Sequence, residues 1–180
     1  MCRKSRHTQG FTLVELLIVV AITGVIAAVA VPLFWQFLDS KKLEVAAEET
    51  ANAMRFALSA AQGSSGYVLV DGSSAGRLAV FNSDATGAKN SAVTDPLTKR
   101  ALDLDLSGGA FSGGVAVAPN FMHGGTACNQ LLIGPGTQLQ AVNNGSVSGA
   151  LEAGSGLTLT LDSQSAVVAI DPVTGRVTLP

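Results

Sequence analysis

The feature that most constrains this chain is an apolar segment close to its amino terminus. The segment runs from Phe11 to Phe37 with very few polar side chains. Those between residues 11 and 35 are Thr12, Glu15 and Thr23. A stretch of about 20 mainly apolar residues is long enough to cross a bilayer as a helix. The segment therefore predicts a membrane-spanning helix over about residues 11–35.

Basic side chains precede the apolar segment, namely Arg3, Lys4 and Arg6. Positive charge on a short leading segment keeps that end of a membrane helix in the cytoplasm. Everything after the span is then expected on the outer side of the membrane. The bulk of the protein is therefore predicted to lie outside the cytoplasm.

Three interpretations of the apolar segment compete. A removable secretory signal fits the basic start and the small residues Ala28-Val29-Ala30, which resemble a signal-peptidase site. A plain membrane anchor fits the length but leaves Glu15 without a purpose, because an ionised carboxylate in hydrocarbon costs roughly 2.5–3.5 kcal/mol. The third interpretation gives this carboxylate a role in assembly.

The segment from Gly10 to Val20 resembles the processing motif of type IV prepilins and of type II secretion pseudopilins. The match combines the basic leader, a glycine before the cut, Phe11 after it, and Glu15 at the fifth position of the mature chain. The resemblance implies that a prepilin peptidase cleaves between Gly10 and Phe11. It also implies that the same enzyme methylates the new amino terminus at Phe11.

In this family the retained helix forms the filament core, and the acid at the fifth position pairs with the amino terminus of a neighbouring subunit. Either charge alone is expensive in hydrocarbon, whereas a hydrogen-bonded pair replaces part of the lost hydration. Glu15 would then register the presence of a neighbour. The family commonly places a helix-loosening glycine and proline where Gly24 and Pro32 stand. Thr12 is expected only to fill the helix, with its hydroxyl bonded back to the backbone.

After Pro32 the pattern changes from apolar on all sides to apolar on one side. Apolar residues recur at intervals of three and four, which is typical of an amphipathic helix. They are Leu43, Ala47, Ala51, Met54, Leu58 and Ala61. The run from Gly63 to Gly66 provides a stop. These boundaries predict a leader at 1–10, one helix at 11–62 with its amphipathic part at about 38–62, and a globular β-rich head at 67–180.

Beyond Gly66 the chain contains short segments typical of β strands. They are Tyr67–Asp71, Arg77–Asn82, Ala101–Leu106, Val115–Pro119, Gln130–Ile133, Gln138–Val142, Leu157–Leu161, Ala166–Ile170 and Arg176–Leu179. Period-two alternation at 102–106 and 157–161 predicts strands buried on one face. The segment 171–175 predicts a hairpin turn between the last two strands. The predicted fold class is α+β: a long amino-terminal helix packed on an antiparallel β sandwich, type IV pilin-like.

The reactive side chains do not predict an enzyme. His123 and Cys128 lie close in sequence, but without a supporting group they do not define a nucleophilic site. Cys128 is instead expected to be a small buried side chain. Asp103 and Asp105 are expected on the solvent face of their strand, where carboxylates are simply hydrated. We therefore predict no catalytic residue, no metal site and no cofactor.

The ending Gly175-Arg176-Val177 is similar to that of the GspH/FimT-like minor pilins. Some members of that group bind DNA through a basic terminal segment, and Arg176 would be the matching residue. Cleavage after Gly10 removes three of the eleven basic side chains and none of the thirteen acidic ones, so the net charge falls from −2 to about −5. DNA binding rests on neutralising several phosphates, so nucleic acid is not an expected partner.

The resemblance implies a minor pseudopilin, a structural subunit that initiates or caps a short filament of the type II secretion machinery. The implied location is the bacterial inner membrane, with a cytoplasmic amino terminus and a periplasmic head, and then the filament. Implied partners are prepilin peptidase, other pseudopilins through the helix, and exported cargo or an outer-membrane channel. Two alternatives stay open: a minor type IV pilin for pilus assembly, twitching or DNA uptake, and a soluble domain exported after cleavage near Ala30.

Overall fold

The structure is a computed structural model that describes residues 12–95, 98–108 and 114–179. Within these ranges the chain forms one helix, α1 (Leu13–Ser64), and twelve strands. The strands are β1 (Tyr67–Asp71), β2 (Arg77–Ser83), β3 (Lys89–Ala92), β4 (Asp103–Asp105), β5 (Ala116–His123), β6 (Thr126–Cys128), β7 (Gln130–Ile133), β8 (Leu139–Asn143), β9 (Ser146–Ala150), β10 (Gly156–Leu161), β11 (Gln164–Ile170) and β12 (Val177–Thr178).

The chain divides into two compact units. The first covers residues 1–39 and contains the apolar part of α1, and the second covers residues 40–180 and contains the rest of α1 with all the described strands. The sequence pattern placed the helix at 11–62, whereas α1 begins at Leu13 and ends at Ser64. The predicted leader at 1–10 lies outside the described residues.

The helix of the first unit begins with a side-chain cap. Thr12 precedes the first helical residue, and its Oγ1 accepts a hydrogen bond from the backbone N–H of Glu15 at 3.3 Å. A threonine three positions before a glutamate is a common start of a helix, because the hydroxyl satisfies a backbone donor that has no partner within the helix. The expectation that Thr12 only fills the helix is therefore wrong.

In the second unit, one face of α1 is buried. All the apolar side chains of the predicted stripe are buried, and Ala46, Thr50, Ala53 and Ala57 join them. The opposite face is exposed, as the charged residues at positions 44, 48, 49 and 55 illustrate. This confirms the predicted amphipathic pattern, in which the buried face packs on a core and the charged face meets solvent.

The described strands form two antiparallel sheets. A seven-stranded sheet has the order β3-β2-β1-β7-β8-β9, with β4 also paired to β2, and a five-stranded sheet has the order β12-β11-β10-β5-β6. The buried face of α1 shares one hydrophobic core with both sheets. The α+β fold class predicted from the sequence, a long amino-terminal helix packed on antiparallel sheets, is confirmed.

Each predicted strand overlaps an observed one, but three observed strands were not predicted. These are β3, β6 and β9, and each lies at the edge of its sheet. The burial pattern of β3 shows all its residues exposed, and β9 alternates only between exposed and half-buried positions. Edge strands bury little apolar surface, so their sequences need not carry the alternation that identifies a strand.

The predicted alternation and the predicted last turn are both present. Leu157 and Leu159 are fully buried, while Thr160 between Leu159 and the next buried leucine is exposed. In the turn between β11 and β12, the N–H of Asp171 donates to the carbonyl of Arg176 at 3.0 Å. Both predictions are therefore confirmed.

A second, smaller hydrophobic cluster lies apart from the main core. Leu69, Leu132 and Val142 are fully buried in it. The loop between β2 and β3 approaches this cluster, since a Cβ at Gly87 would lie 3.5 Å from a methyl carbon of Val142 and from one of Val147. The large sheet is therefore covered at two places: by the main core, and by this loop.

Candidate functional site

Glu15 lies in the first turn of α1 and is the acidic residue of that turn. The positive end of the helix dipole stabilises a carboxylate there by about 0.3–1 kcal/mol. Its sequence neighbours Val14 and Leu16 are apolar and are 65% and 60% exposed. The carboxylate therefore stands within an exposed apolar surface at the beginning of the helix.

The surface around Glu15 continues along the first unit. Every described residue from position 12 to 37 is exposed, and the large apolar side chains among them are at least half exposed. The helix contains a stretch long and apolar enough to cross a membrane by length and composition. Such a surface is unfavourable in water and requires lipid or neighbouring apolar helices. The helix therefore fits a membrane-anchored protein.

The remaining residues assigned to processing and assembly have different standings. Gly10 and Phe11 lie outside the described residues, so cleavage between them stays a prediction. Gly24 and Pro32 are both within α1, which runs through them without interruption. An added Cβ at Gly24 would meet no atom within 4 Å, so this glycine is not required for packing within the chain. Pro32 lacks the N–H that would bond to the preceding turn.

His123 and Cys128 are engaged with different partners. The Nδ1 atom of His123 lies 2.9 Å from the carbonyl oxygen of Ala150. Cys128 is a free, buried cysteine whose Sγ lies 3.6 Å from the hydroxyl of Ser148. In the β5–β6 hairpin, Cys128 is paired with Phe121 and His123 with Thr126. The structure does not assemble the two side chains into a nucleophile and base.

The carboxylates considered for a metal are satisfied by local hydrogen bonds. Asp105 accepts from the backbone and hydroxyl of Ser107 at 3.0 and 2.7 Å, which lowers the pKa of its carboxyl group. Asp103 pairs with Arg77 on the neighbouring strand. Among residues 12–95, 98–108 and 114–179, no group of three or more histidine, cysteine, aspartate or glutamate side chains is arranged to hold a metal ion.

Arg176 is exposed in the β11–β12 turn and has an acidic neighbour. The N–H groups of Thr174 and Val173 donate to Asp171 at 2.7 and 2.9 Å, and they are the main cause of the lowered pKa of that carboxyl group. The charge of Arg176 contributes to the same lowering. The positive charge of Arg176 is thus partly balanced locally, which weakens any attraction for a phosphate.

Sequence reasoning missed a polar network in the seven-stranded sheet. Asp71, at the end of β1, is 8% exposed and pairs with Lys89 Nζ at 2.5 Å. Its Oδ1 atom accepts from the side-chain amide of Gln130 at 3.0 Å, and the Oε1 atom of Gln130 accepts from the N–H of Gly145 at 2.9 Å. An aspartate ending the apolar run 67–70 was the only signal, and its partners are distant in sequence.

Comparison with known proteins addresses the amino-terminal segment. A family model of the prokaryotic N-terminal methylation motif matches residues 5–31. This range includes Gly10, Phe11 and Glu15, and the motif supports a type IV pilin-like protein, a structural and not an enzymatic kind of subunit. It implies processing by prepilin peptidase and assembly with other pilins. No curated protein and no solved structure is significantly similar to this chain.

Proposed function

We propose that this protein is a minor pseudopilin of a type II secretion system. In this role it is stored in the inner membrane through the first part of α1 and then joins a short periplasmic filament, which it initiates or caps. The methylation motif at residues 5–31 supports a pilin-like protein. The similarity of Gly175-Arg176-Val177 to the GspH/FimT-like ending supports the more specific assignment.

The observation that carries the proposal is the position of Glu15. It lies in the first turn of a helix whose surrounding side chains are exposed and apolar. A lone carboxylate there costs roughly 2.5–3.5 kcal/mol in a membrane. The amine created at Phe11 of a neighbouring subunit would compensate that cost, because a paired charge regains part of the lost hydration. Assembly thereby relieves a defect of the isolated subunit.

Processing precedes assembly in this mechanism. Prepilin peptidase would cleave between Gly10 and Phe11 and methylate the new terminus, which leaves Glu15 as the fifth residue of the mature chain. Gly24 and Pro32 would let the helix adjust as it leaves lipid and packs against other helices, since each weakens regular helix structure. The second unit would then contact other minor subunits, cargo or an outer-membrane channel.

The deciding experiment determines the mature amino terminus by mass spectrometry after expression with and without a prepilin peptidase. We expect methylated Phe11 with the peptidase and the intact precursor without it. Gly10→Val should block cleavage, and Gly24→Ala serves as the control that changes a glycine without affecting it. An intact precursor in the presence of the peptidase would contradict the proposal. A terminus at Val31 would instead identify a secreted domain.

A minor type IV pilin is the alternative within the same class. Deleting the gene in its native host separates the two functions. Loss of protein secretion with normal surface motility supports the pseudopilin, whereas loss of twitching or of DNA uptake with normal secretion supports the pilin. A DNA-binding role further requires that the purified chain retards duplex DNA and that Arg176→Ala reduces this retardation.

A further inference from the structure

The five-stranded sheet ends in a strand that covers only part of its neighbour. β12 pairs with β11 at Ala169 and Ile170, whereas β11 begins at Gln164. On its other side, β11 is paired with β10 over residues 164–169. Among the described residues, the strand register therefore gives the segment 164–168 a partner on one side only.

The backbone groups of this edge can be assigned a direction. The N–H of Ile170 donates at 3.0 Å to the carbonyl of Ser155, which directly precedes β10. Successive residues of a strand direct their backbone groups to opposite sides. Ser165 and Val167, at odd numbers of residues from Ile170, therefore direct their N–H and C=O groups away from β10. These groups are available to an additional strand.

A groove of about 510 Å³ lies along this same edge. Gln164, Ser165 and Ala166 form its sheet side, and the buried side chains of Leu43 and Ala47 contribute to its helix side. An extended segment in the groove could bond to the edge through its main chain and place an apolar side chain against α1. Peptide recognition by strand addition obtains affinity from such main-chain bonds and specificity from side-chain positions.

The charges around the groove indicate what kind of segment fits. Among the described residues, the charged side chains that line the groove are Glu44 and Glu48, which are exposed and one helical turn apart. A second copy of this chain, pairing edge to edge, would bring two such acidic pairs together and would be opposed by repulsion. A positively charged segment would be attracted.

We propose that the groove between α1 and the free edge of β11 binds an extended, basic peptide segment of another protein by strand addition. An apolar side chain at the centre of the segment packs toward Leu43 and Ala47, and flanking lysine or arginine side chains pair with Glu44 and Glu48. The proposal goes beyond the filament function, since it concerns the second unit alone and does not depend on how the amino terminus is processed.

The test uses the full chain in detergent micelles and a blocked synthetic peptide of lysine, threonine, valine, threonine and lysine. Peptide binding is measured by titration, and hydrogen exchange is followed at the amides of Ser165 and Val167. We expect binding that protects these two amides. Methylating the peptide's backbone nitrogens, or replacing its lysines by glutamates, should each weaken binding about tenfold, which corresponds to about 1.4 kcal/mol.

Substitutions in the protein provide the complementary test. Val167→Pro removes the edge N–H, and an edge strand tolerates proline when the lost N–H faces away from its neighbour. Val167→Thr is the matched control, because it keeps the N–H and the β-branched shape. Val167→Pro should weaken binding about tenfold while Val167→Thr leaves it unchanged. Glu44→Gln with Glu48→Gln should weaken binding and reduce its dependence on salt.

Several outcomes would overturn the proposal. These are no binding by the basic peptide, equal binding by the backbone-methylated peptide, or no protection of the Ser165 and Val167 amides. Self-association of the chain that protects the same amides would identify a second copy as the occupant and would also overturn it. If Val167→Pro fails to fold, as judged by circular dichroism, the backbone-methylated peptide tests the same hydrogen bond without altering the protein.

Discussion

The side-chain amide of Gln130 donates a hydrogen bond of 3.0 Å to the carboxylate of Asp71, and both side chains are buried within the seven-stranded sheet. The residues are paired across β1 and β7. The same carboxylate also pairs with Lys89 of β3. One acidic group therefore joins three strands whose sequences are far apart.

Replacing Asp71 should destabilise the protein. Asp71→Asn keeps the shape but brings an amide donor among the donors of Lys89 and Gln130, so at least one buried group loses its partner. We expect a loss of about 2 kcal/mol in the free energy of unfolding, measured by urea denaturation of the full chain in detergent. Asp103→Asn is the control, because the Asp103–Arg77 pair is more exposed and should contribute less than about 1 kcal/mol. Equal losses would contradict the assigned role.

The same carboxylate predicts a dependence of stability on pH. Burial would raise the pKa of Asp71, but hydrogen bonds from Lys89, Gln130 and Ser73 outweigh burial and lower it. Stability from this group is therefore fully present above the ordinary aspartate pKa of about 3.9 and is lost as pH falls through the lower folded-state pKa. Unfolding curves between about pH 6 and pH 3 should show a smaller decline for Asp71→Asn than for the natural protein. An identical decline would count against this explanation.

Gly156 should tolerate no larger side chain. A Cβ at this position would lie 2.4 Å from the carbonyl oxygen of Val168 in the adjacent strand, so β10 and β11 would have to separate. We expect Gly156→Ala to lower the free energy of unfolding by about 2 kcal/mol, a typical cost of overpacking. Gly63→Ala, where a Cβ meets nothing within 4 Å, should be neutral or slightly stabilising because alanine favours helix. Similar effects of the two changes would refute the steric argument.

Thr50 offers a stabilising substitution. It is fully buried in α1, and its Oγ1 has no hydrogen-bond partner among the described residues. Thr50→Val replaces the hydroxyl by a methyl group of similar size and should raise the free energy of unfolding by about 1 kcal/mol. Thr50→Ser keeps the hydroxyl and deletes the methyl, so it should be destabilising. A loss of stability in Thr50→Val would indicate that the hydroxyl has a partner.

Glu15 should be required for assembly but not for processing. In Glu15→Gln the charge that compensates a neighbour's amine is gone, whereas the residues next to the proposed cut are unchanged. We expect normal cleavage and about a tenfold or greater loss of incorporation into sheared filaments, measured by quantitative immunoblotting. Glu49→Gln changes an exposed acid farther along the same helix and should assemble normally. Normal assembly of Glu15→Gln would remove the basis of the proposed function.

The amphipathic helix and the central strands could be predicted because their patterns are local. The stripe from Leu43 to Ala61 repeats every three or four residues, and residues 157–161 alternate, so each element announces its own buried face. The edge strands could not be predicted in this way, because exposed segments such as β3 gain their structure only from pairing with β2.

The sequence by itself determined the chemical character of each segment: a basic leader, an apolar helix with one acid, an amphipathic continuation and β-rich remainder. These properties depend on residue type and spacing over a few turns or strands. Only the tertiary structure decided which distant groups meet, such as Asp71 with Lys89 and Gln130, and which strand edge stays without a partner beside Glu44 and Glu48. Those relationships depend on strand order and register, because pairing brings together residues that no local pattern connects.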